Sequence, residues 1–253
     1  MNKKEIVSVV IPTYNCELTL LDTLNSIDKQ LTNYDIEVIV CDDSSKDSTL
    51  KILNSFKPKK FRLTIMQNTS NKGAAFTRNQ AIKKSSGRYI MFCDADDIWR
   101  ENKIHKQIEF MKNKEIPFSY TQYEKFSNDI NSGKLIKPKS SVTYKELLVF
   151  NHICCSTVCY DTSFFGKQYM PDIRKRQDYA TWLKMIKYVE KFYCLKLPLM
   201  HKKVGYDSIS NNKLSLVSYN YKVLTKFEKI PAPIAVYYLI RLSLKKIIDI
   251  IFR

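Results

Sequence analysis

The feature that most restricts the fold is the alternation, over the first hundred residues, of short apolar runs with segments of helical periodicity. Four β-branched or aromatic runs predict buried strands: 6–11, 36–41, 61–66 and 89–93. The segments between them have apolar residues at helical spacing: 16–31, 48–56 and 74–84. Strands that alternate with helices form a mostly parallel sheet joined by right-handed crossovers. We therefore predict an α/β fold with a Rossmann-like, mostly parallel central sheet flanked by helices.

Polar and acidic side chains follow three of these runs, at the point where each predicted strand ends. The first run is followed by Pro12-Thr13-Tyr14-Asn15, the second by Asp42-Asp43, and the fourth by Asp94-Ala95-Asp96-Asp97. Ligands of open α/β sheets bind beyond the carboxyl ends of the strands. Carboxylates gathered there need a compensating cation or hydrogen-bond donors. The pattern predicts a divalent metal and a ligand rich in hydroxyl or imide donors; helix capping by Asp42, Asp47 and Asp94 is the alternative.

The charge of the chain is strongly basic and unevenly distributed. Residues 1–99 contain 14 Lys and Arg against 12 Asp and Glu, whereas residues 100–253 contain 28 against 13. Such asymmetry indicates an anionic partner of the second half, and a lysine-rich solvated surface is the alternative. A basic nucleic-acid-binding protein without catalysis remains a competing hypothesis, although the chain has no recognition motif for it. A nucleotidyltransferase is another, although the early glycine-rich basic phosphate loop typical of that chemistry is missing.

Four segments resemble, in order and spacing, the family 2 glycosyltransferases. They are Pro12–Asn15, Glu37–Asp47, Asn71-Lys72-Gly73 with Arg78-Asn79, and Gly87–Asp97. A weaker resemblance continues through 174–179 with Trp182-Leu183. The segment Gly205–Ser210 resembles members that build bacterial polysaccharides. The resemblance implies an inverting enzyme with the GT-A fold. This sequence departs from the family pattern at two positions: Ser44 replaces the Gly that is usual in one turn, and Gln177 stands where Glu is more common.

The resemblance also implies the roles of individual residues. Tyr14 would lie near a uracil base, Asp43 would accept its imide N–H, and Asp94 would bind the ribose or support the metal. Asp96 would ligate Mn²⁺ or Mg²⁺ at the diphosphate, and Asp178 would be the catalytic base. The full set of implied nucleotide-binding residues is Pro12, Tyr14, Asp43, Asn71, Gly73, Arg78, Asp94 and Ala95.

The expected activity is transfer of a sugar from a UDP-sugar to a hydroxyl of an undecaprenyl-diphosphate-linked saccharide, in synthesis of bacterial O-antigen or capsule. We expect residues 1–105 to bind the sugar nucleotide and residues 106–215 to form the acceptor side. The helical periodicity of 179–186 would place Asp178 at a helix start facing the cleft, and an N-cap role is the alternative. His201 is expected to be a structural histidine, with metal ligation as the less favoured alternative.

The sequence pattern of the C-terminal segment 216–253 predicts a helical extension that associates with a membrane. The stretch 234–252 is strongly apolar, but Arg241 interrupts it well before the roughly 20 residues that a membrane-spanning helix needs. Basic residues recur near a helical repeat, with Ile240 and Leu244 on the other side. This pattern is typical of an interfacial amphipathic helix drawn to anionic lipid, and a core-packing or dimerising helix is the alternative. We expect a cytoplasmic enzyme, peripheral on the inner face of the cell membrane, with reduced cysteines and no nucleic acid partner.

Overall fold

The computed structural model describes residues 5–127, 129–204 and 213–251. Within them, ten strands form one sheet: β1 (Ile6–Thr13), β2 (Asp35–Asp42), β3 (Phe61–Gln67), β4 (Tyr89–Phe92), β5 (Asp97–Trp99), β6 (Phe118–Phe126), β7 (Lys134–Ile136), β8 (Ser141–Val142), β9 (Cys159–Asp161) and β10 (Phe192–Lys203). The α-helices are α1 (Leu20–Asp28), α2 (Thr49–Ser55), α3 (Ala74–Lys84), α4 (Lys103–Asn113), α5 (Tyr144–Val149), α6 (Thr162–Phe165), α7 (Gln177–Ile186), α8 (Lys213–Lys222) and α9 (Ala232–Ile251). The segment Gly205–Ser210, which resembles polysaccharide-building enzymes, lies outside the described residues.

The sheet has the strand order β3-β2-β1-β4-β9-β6-β10-β5, with β7 beside β6 and β8 beside β10. Strands β3, β2, β1 and β4 are mutually parallel, and β10 is parallel to β6. The short strand β9 runs antiparallel to both of its neighbours, β4 and β6. The mostly parallel sheet predicted from the sequence is confirmed in the first half, and β9 joins it to a mixed second half.

Apolar residues cover both faces of the sheet and form two separate cores. Successive residues of a strand point to opposite faces, so Val9 and Val10 belong to different cores, as do Val38 and Ile39. Helices α3 and α7 pack on one face, and α1, α2 and α4 pack on the other. The fully buried Trp182 of α7 contacts the rings of Phe92 and Phe118 edge-on. This packing fixes α7, and with it Asp178, against the sheet.

The long strand β10 brings residues near position 200 next to the residues that follow β4. It pairs in parallel with β6 and, through its last residues, in antiparallel fashion with β5, where Lys202 lies opposite Asp97. Register shifts between Leu195 and Pro198 and between Pro198 and His201 bend its pairing with β6. The result is that the residues after β4 and the end of β10 share one edge of the sheet.

The C-terminal extension is helical, as predicted. Ala235 and Leu242 of α9 are buried, and Tyr238 and Leu239 pack against the core that contains α7. Ile240 and Leu244, by contrast, are each 54% exposed. Among the described residues, no helix combines the length and hydropathy that crossing a bilayer requires.

Candidate active site

The turn after β2 is held closed by Asp42. Its buried carboxylate accepts hydrogen bonds from the hydroxyl of Thr13 (3.0 Å) and from the backbone N–H of Ser45 (2.9 Å). Ser44, which lies between Asp42 and Ser45 in this turn, has a φ of 64°, the left-handed conformation that favours glycine. The substitution of Ser for the Gly usual in this turn therefore keeps the turn's conformation at some cost in backbone strain.

Asp43 anchors the loop between β3 and α3. Its Oδ1 accepts hydrogen bonds from the backbone N–H of Lys72 and the amide of Asn68, and its Oδ2 accepts one from the N–H of Gly73, all at 2.8 Å. Burial raises the pKa of Asp43, but these hydrogen bonds outweigh that effect and its pKa lies below the ordinary value. Gly73, with a φ of 88°, begins α3 at this point. Asp43 and Gly73, both predicted to bind the nucleotide, are thus in direct contact.

The other predicted residues of this region lie around the same edge. Pro12 pairs with Cys41 at the end of β1, and Tyr14 follows it with a ring that is 48% exposed. Asn71 is exposed in the loop that Asp43 anchors. Ala95 is buried in one of the two cores, so its side chain faces the protein interior.

Arg78 of α3 and Asp94, which follows β4, form a partly buried ion pair. One guanidinium nitrogen of Arg78 lies 2.5 Å from Oδ1 of Asp94, and Arg78 is 7% exposed. Burial raises the pKa of Asp94, but Arg78 and then Lys202 more than compensate, so that its pKa is lowered. The N–H of Asp94 donates to the hydroxyl of Ser156 (3.0 Å). Arg78, which the resemblance implies to bind the nucleotide, lies within α3, and its contact fixes the Asp94 carboxylate.

Three carboxylates gather directly after β4. One oxygen from each of Asp94, Asp96 and Asp97 lies within 4.8 Å of the others. Asp96 is exposed, whereas Asp97 is fully buried at the start of β5. Within the described part of the chain, neither oxygen of Asp97 accepts a well-formed hydrogen bond. Burial raises the pKa of Asp97 to about 7, against the opposing effect of Lys202. This set of oxygen atoms fits a hard divalent cation.

Lys202 of β10 reaches into the same cluster. Its Nζ lies 3.5 Å from Oδ1 of Asp97 and 3.7 Å from Oδ2 of Asp94. Burial lowers the pKa of Lys202, but Asp97 and the neighbouring acidic groups outweigh it and hold the pKa well above the ordinary value. The cluster therefore contains a protonated amine as well as its carboxylates.

Asp178 lies in the first turn of α7, near these charges. Helix α7 is capped by Arg176, which has a φ of 68° and makes no side-chain capping bond, so Asp178 is not the N-cap residue. Burial raises the pKa of Asp178 above the ordinary value, although the N–H of Tyr179 and the guanidinium groups of Arg176 and Arg78 oppose the rise. A raised pKa brings a carboxylate closer to the basicity that proton abstraction requires.

The motifs found along the chain correspond to a known family model. The model described as "Glycosyl transferase family 2" matches residues 8–170, which is more than half of the chain. The chain belongs to glycosyltransferase family 2. This membership supports an enzyme, and the competing hypothesis of a basic nucleic-acid-binding protein is not supported.

Two curated relatives match this glycosyltransferase over nearly their full length. TuaG of Bacillus subtilis (strain 168), named as a glycosyltransferase of teichuronic acid biosynthesis, is 35% identical over 230 residues, or 90% of this chain and 91% of TuaG. WfgD of Escherichia coli, named a UDP-Glc:alpha-D-GlcNAc-diphosphoundecaprenol beta-1,3-glucosyltransferase, is 36% identical over 241 residues, or 93% of this chain and 91% of WfgD.

A solved structure supports the GT-A fold of this glycosyltransferase. The S. aureus TarS fragment 1–349 in complex with UDP-GlcNAc has a TM-score of 0.71 over 95% of this chain and 72% of that chain, at 19% identity. The likeness at this identity concerns the fold. The GT-A architecture expected from the sequence is thus confirmed.

Two features of the glycosyltransferase site need the three-dimensional structure. Asp97 was part of the predicted carboxylate triplet but had no assigned role, and its pairing with Lys202 depends on the register of β5 and β10. His201 precedes Lys202 and therefore points to the opposite face of β10, where its Nδ1 lies 3.0 Å from Oε2 of Glu124. Glu124 also pairs with Arg100 at 2.8 Å. These contacts agree with the structural role expected for His201.

Proposed function

We propose that this family 2 glycosyltransferase moves a sugar from a UDP-sugar to a hydroxyl of an undecaprenyl-diphosphate-linked saccharide, with inversion at the anomeric carbon. The single observation that carries the proposal is the convergence of Asp94, Asp96 and Asp97 at one edge of the sheet, where the resemblance to family 2 implies that the donor diphosphate binds. The printed names of the relatives, which include UDP-Glc and a diphosphoundecaprenol acceptor, support the substrate classes.

The contacts of Asp43 favour uridine as the nucleoside. The backbone N–H groups of Lys72 and Gly73 and the amide of Asn68 already donate to the Asp43 carboxylate, and the Thr77 hydroxyl also stabilises its charged form. A carboxylate with so little acceptor capacity left suits a base that offers one imide N–H, as uracil does. Guanine would present two adjacent donors. We propose Asp43 and Tyr14 as the base-binding residues, with Pro12, Asn71 and Gly73 lining the nucleotide and Ala95 contributing its backbone, because its side chain is buried in the core.

The carboxylate cluster is the proposed metal site. We assign Asp96 as the principal ligand, with Asp94 in support, because Asp96 is the exposed member and Asp94 already pairs with Arg78. Oxygen donors are the ligands that Mg²⁺ and Mn²⁺ prefer. A bound divalent cation would supply Lewis-acid stabilisation of the charge on the departing diphosphate. Lys202 lies in the same cluster and can pair with a phosphate oxygen.

Asp178 is the proposed catalytic base. The acceptor hydroxyl oxygen attacks the anomeric carbon from the side opposite the diphosphate, and its proton passes to the Asp178 carboxylate. As the new carbon–oxygen bond forms, the bond to the diphosphate oxygen breaks and its electron pair leaves with the diphosphate. Attack from the opposite side converts an α-linked donor into a β-linked product. The interactions of Asp178 with Arg78 and Asp94 support its placement beside the donor site.

The acceptor of the proposed reaction is membrane-bound, and α9 offers a means of reaching it. Ile240 and Leu244 are exposed on the helix, and Tyr237 beside them is also 54% exposed. Arg241 lies over the ring of Tyr237, so a cationic group borders the apolar surface. Exposed apolar and cationic side chains on one helix favour binding to anionic lipid. We propose that residues 216–253 associate with the inner membrane surface. In the rest of the chain, we propose that residues 1–105 bind the donor and that residues 106–215 bind the acceptor.

The activity is tested with purified enzyme, a panel of UDP-sugars and a lipid-diphosphate-linked N-acetylglucosamine acceptor. We expect Mn²⁺-dependent or Mg²⁺-dependent product formation, with a β-linkage in the product of an α-linked donor, measured by the anomeric proton coupling in NMR. Asp172→Asn, an exposed carboxylate near α7, is the matched control for Asp178→Asn. An α-linked product would disprove inversion, and full activity of Asp178→Asn would disprove the base.

Membrane association is tested by flotation with vesicles that contain anionic phosphatidylglycerol. The double variant Ile240→Ser/Leu244→Ser should lose binding, because it removes the two exposed apolar side chains that lie one turn apart. Phe164→Ser, which removes a 55% exposed ring on α6, is the control and should bind normally. Equal flotation of the double variant and the parent protein would contradict the assignment of α9 as the membrane contact.

A further inference from the structure

The ammonium group of Lys202 lies among the carboxylates of Asp94, Asp96 and Asp97, where a metal ion would otherwise supply the positive charge. We propose that this ammonium group occupies the cluster in the nucleotide-free enzyme, and that it makes metal binding depend on arrival of the diphosphate. The proposal rests on the proposed function, because it concerns the same donor site. It assigns to Lys202 a positioning role in addition to any contact with phosphate.

The geometry places Lys202 between two carboxylates. Its Nζ is within 4 Å of Asp97 and of Asp94, and the side chain is 26% exposed. Arg78 takes the other oxygen of Asp94 at 2.5 Å. Both oxygens of Asp94 therefore have a cationic neighbour, and in the described ranges of the chain the fully buried Asp97 pairs with Lys202 alone. The amine holds together groups that a divalent ion would also use.

Because both are positively charged, the Lys202 ammonium and a divalent metal ion compete for the same carboxylate cluster. A divalent ion bound by Asp96 with support from Asp94 would lie close to the ammonium of Lys202, because the three carboxylates are within 4.8 Å of one another, and like charges at such a distance disfavour each other. A nucleoside diphosphate changes this balance because its oxygens offer Lys202 a new anionic partner. When Lys202 turns toward the diphosphate, the carboxylates become free for the metal. Metal and nucleotide then bind better together than separately.

The strand supplies a matched control for Lys202. Lys125 of β6 is its register partner, is exposed, and lies over the ring of Tyr123. Lys125→Met removes the same charge from the neighbouring strand without touching the cluster. Lys202→Arg keeps the charge, and Lys202→Met removes it while keeping most of the side-chain volume.

The test measures two affinities separately. Mn²⁺ binding to the nucleotide-free full-length protein is followed by the electron paramagnetic resonance signal of free Mn²⁺. UDP binding is followed by calorimetry in excess chelator. Lys202→Met should bind Mn²⁺ about tenfold more tightly and UDP about tenfold more weakly than the parent protein, since one charge has opposite effects on a cation and an anion. Lys202→Arg and Lys125→Met should differ from the parent by less than twofold in both.

These opposite changes distinguish the proposal from a structural role. If Lys202→Met weakens both affinities, or leaves Mn²⁺ affinity unchanged, the proposal is overturned. Should Lys202→Met fail to fold in a thermal melt, Lys202→Gln can still donate a hydrogen bond to Asp97 and undergoes the same two measurements. Neither measurement uses sugar transfer. A parent protein that binds UDP with Mn²⁺ but shows no effect of Lys202 therefore overturns this inference alone, whereas a parent that forms no glycoside overturns the proposed function.

Discussion

Replacing Asp43 by Asn tests how the loop over the nucleotide is held. Asn keeps the size of the side chain and one acceptor oxygen, but its amide nitrogen would face the N–H of Lys72 or that of Gly73, each now bound at 2.8 Å. The change removes at least one hydrogen bond to a charged group and leaves a backbone donor without an acceptor. Such a loss costs about 2–4 kcal/mol. Local opening of the loop should therefore become roughly 30- to 1,000-fold more frequent.

Native-state hydrogen exchange measures this opening directly. The amides of Lys72 and Gly73 should exchange faster in Asp43→Asn by that factor, and UDP affinity should fall because the loop is no longer ordered. Asp28→Asn is the control, since Asp28 also accepts two backbone hydrogen bonds, from Lys59 (2.8 Å) and Lys60 (2.9 Å), in a different loop. Unchanged protection of Lys72 and Gly73 in Asp43→Asn would refute the conclusion that this carboxylate anchors the loop.

Further predictions concern catalysis, pH, metal and packing. Asp178→Asn should lower kcat by about 10²- to 10⁴-fold in a transfer assay with an unchanged melting temperature. Because burial raises the pKa of Asp178, kcat/KM should decline as the pH falls through a value above about 4, the ordinary pKa of Asp; a pH profile that is flat down to pH 4 would contradict this. Excess chelator, or Asp96→Ala, should abolish transfer measured as UDP release, and activity that persists in chelator would remove the metal. Gly87→Ala should cost about 1–3 kcal/mol or more in urea unfolding, because the new Cβ would lie 2.6 Å from the hydroxyl of Ser8; Gly133→Ala, whose nearest neighbour is 3.2 Å away, should cost less.

The central sheet and the acidic strand ends could be predicted because they depend on local pattern. The run 6–11 is apolar at every position except Ser8, and β1 is buried on both faces as that run requires. The predicted helix 16–31 is shorter in the structure, where α1 spans Leu20–Asp28 after a turn tied to the β2–α2 loop by Asn15 and Ser45. Periodicity locates such elements well and their ends less well.

Long-range register could not be predicted from the sequence. The apolar pattern predicts a strand from Phe192 to Leu199, but β10 continues to Lys203 because both β5 and β6 pair with its polar end. The three-residue strand β9 is likewise too short to give a period. The partnership of Lys202 with Asp97 joins positions more than a hundred residues apart, and so it arises from the fold and not from any motif. The proposed residue roles that rest on the family resemblance stay predictions until they are tested.

The alternation of side chains along β10 has a consequence for insertions and deletions. His201 and Lys202 are neighbours in the chain and lie on opposite faces of one strand, and the irregular pairing around Pro198 determines which of them enters the carboxylate cluster. Insertion of a single residue there would move His201 to the position of Lys202 and so exchange the two faces. An imidazole, which gains and loses its proton near neutral pH, would then stand where a permanently charged amine is now. A one-codon insertion would thereby convert a site of fixed charge into one that responds to acidity, whereas a one-codon deletion would place Lys203 there and keep the charge.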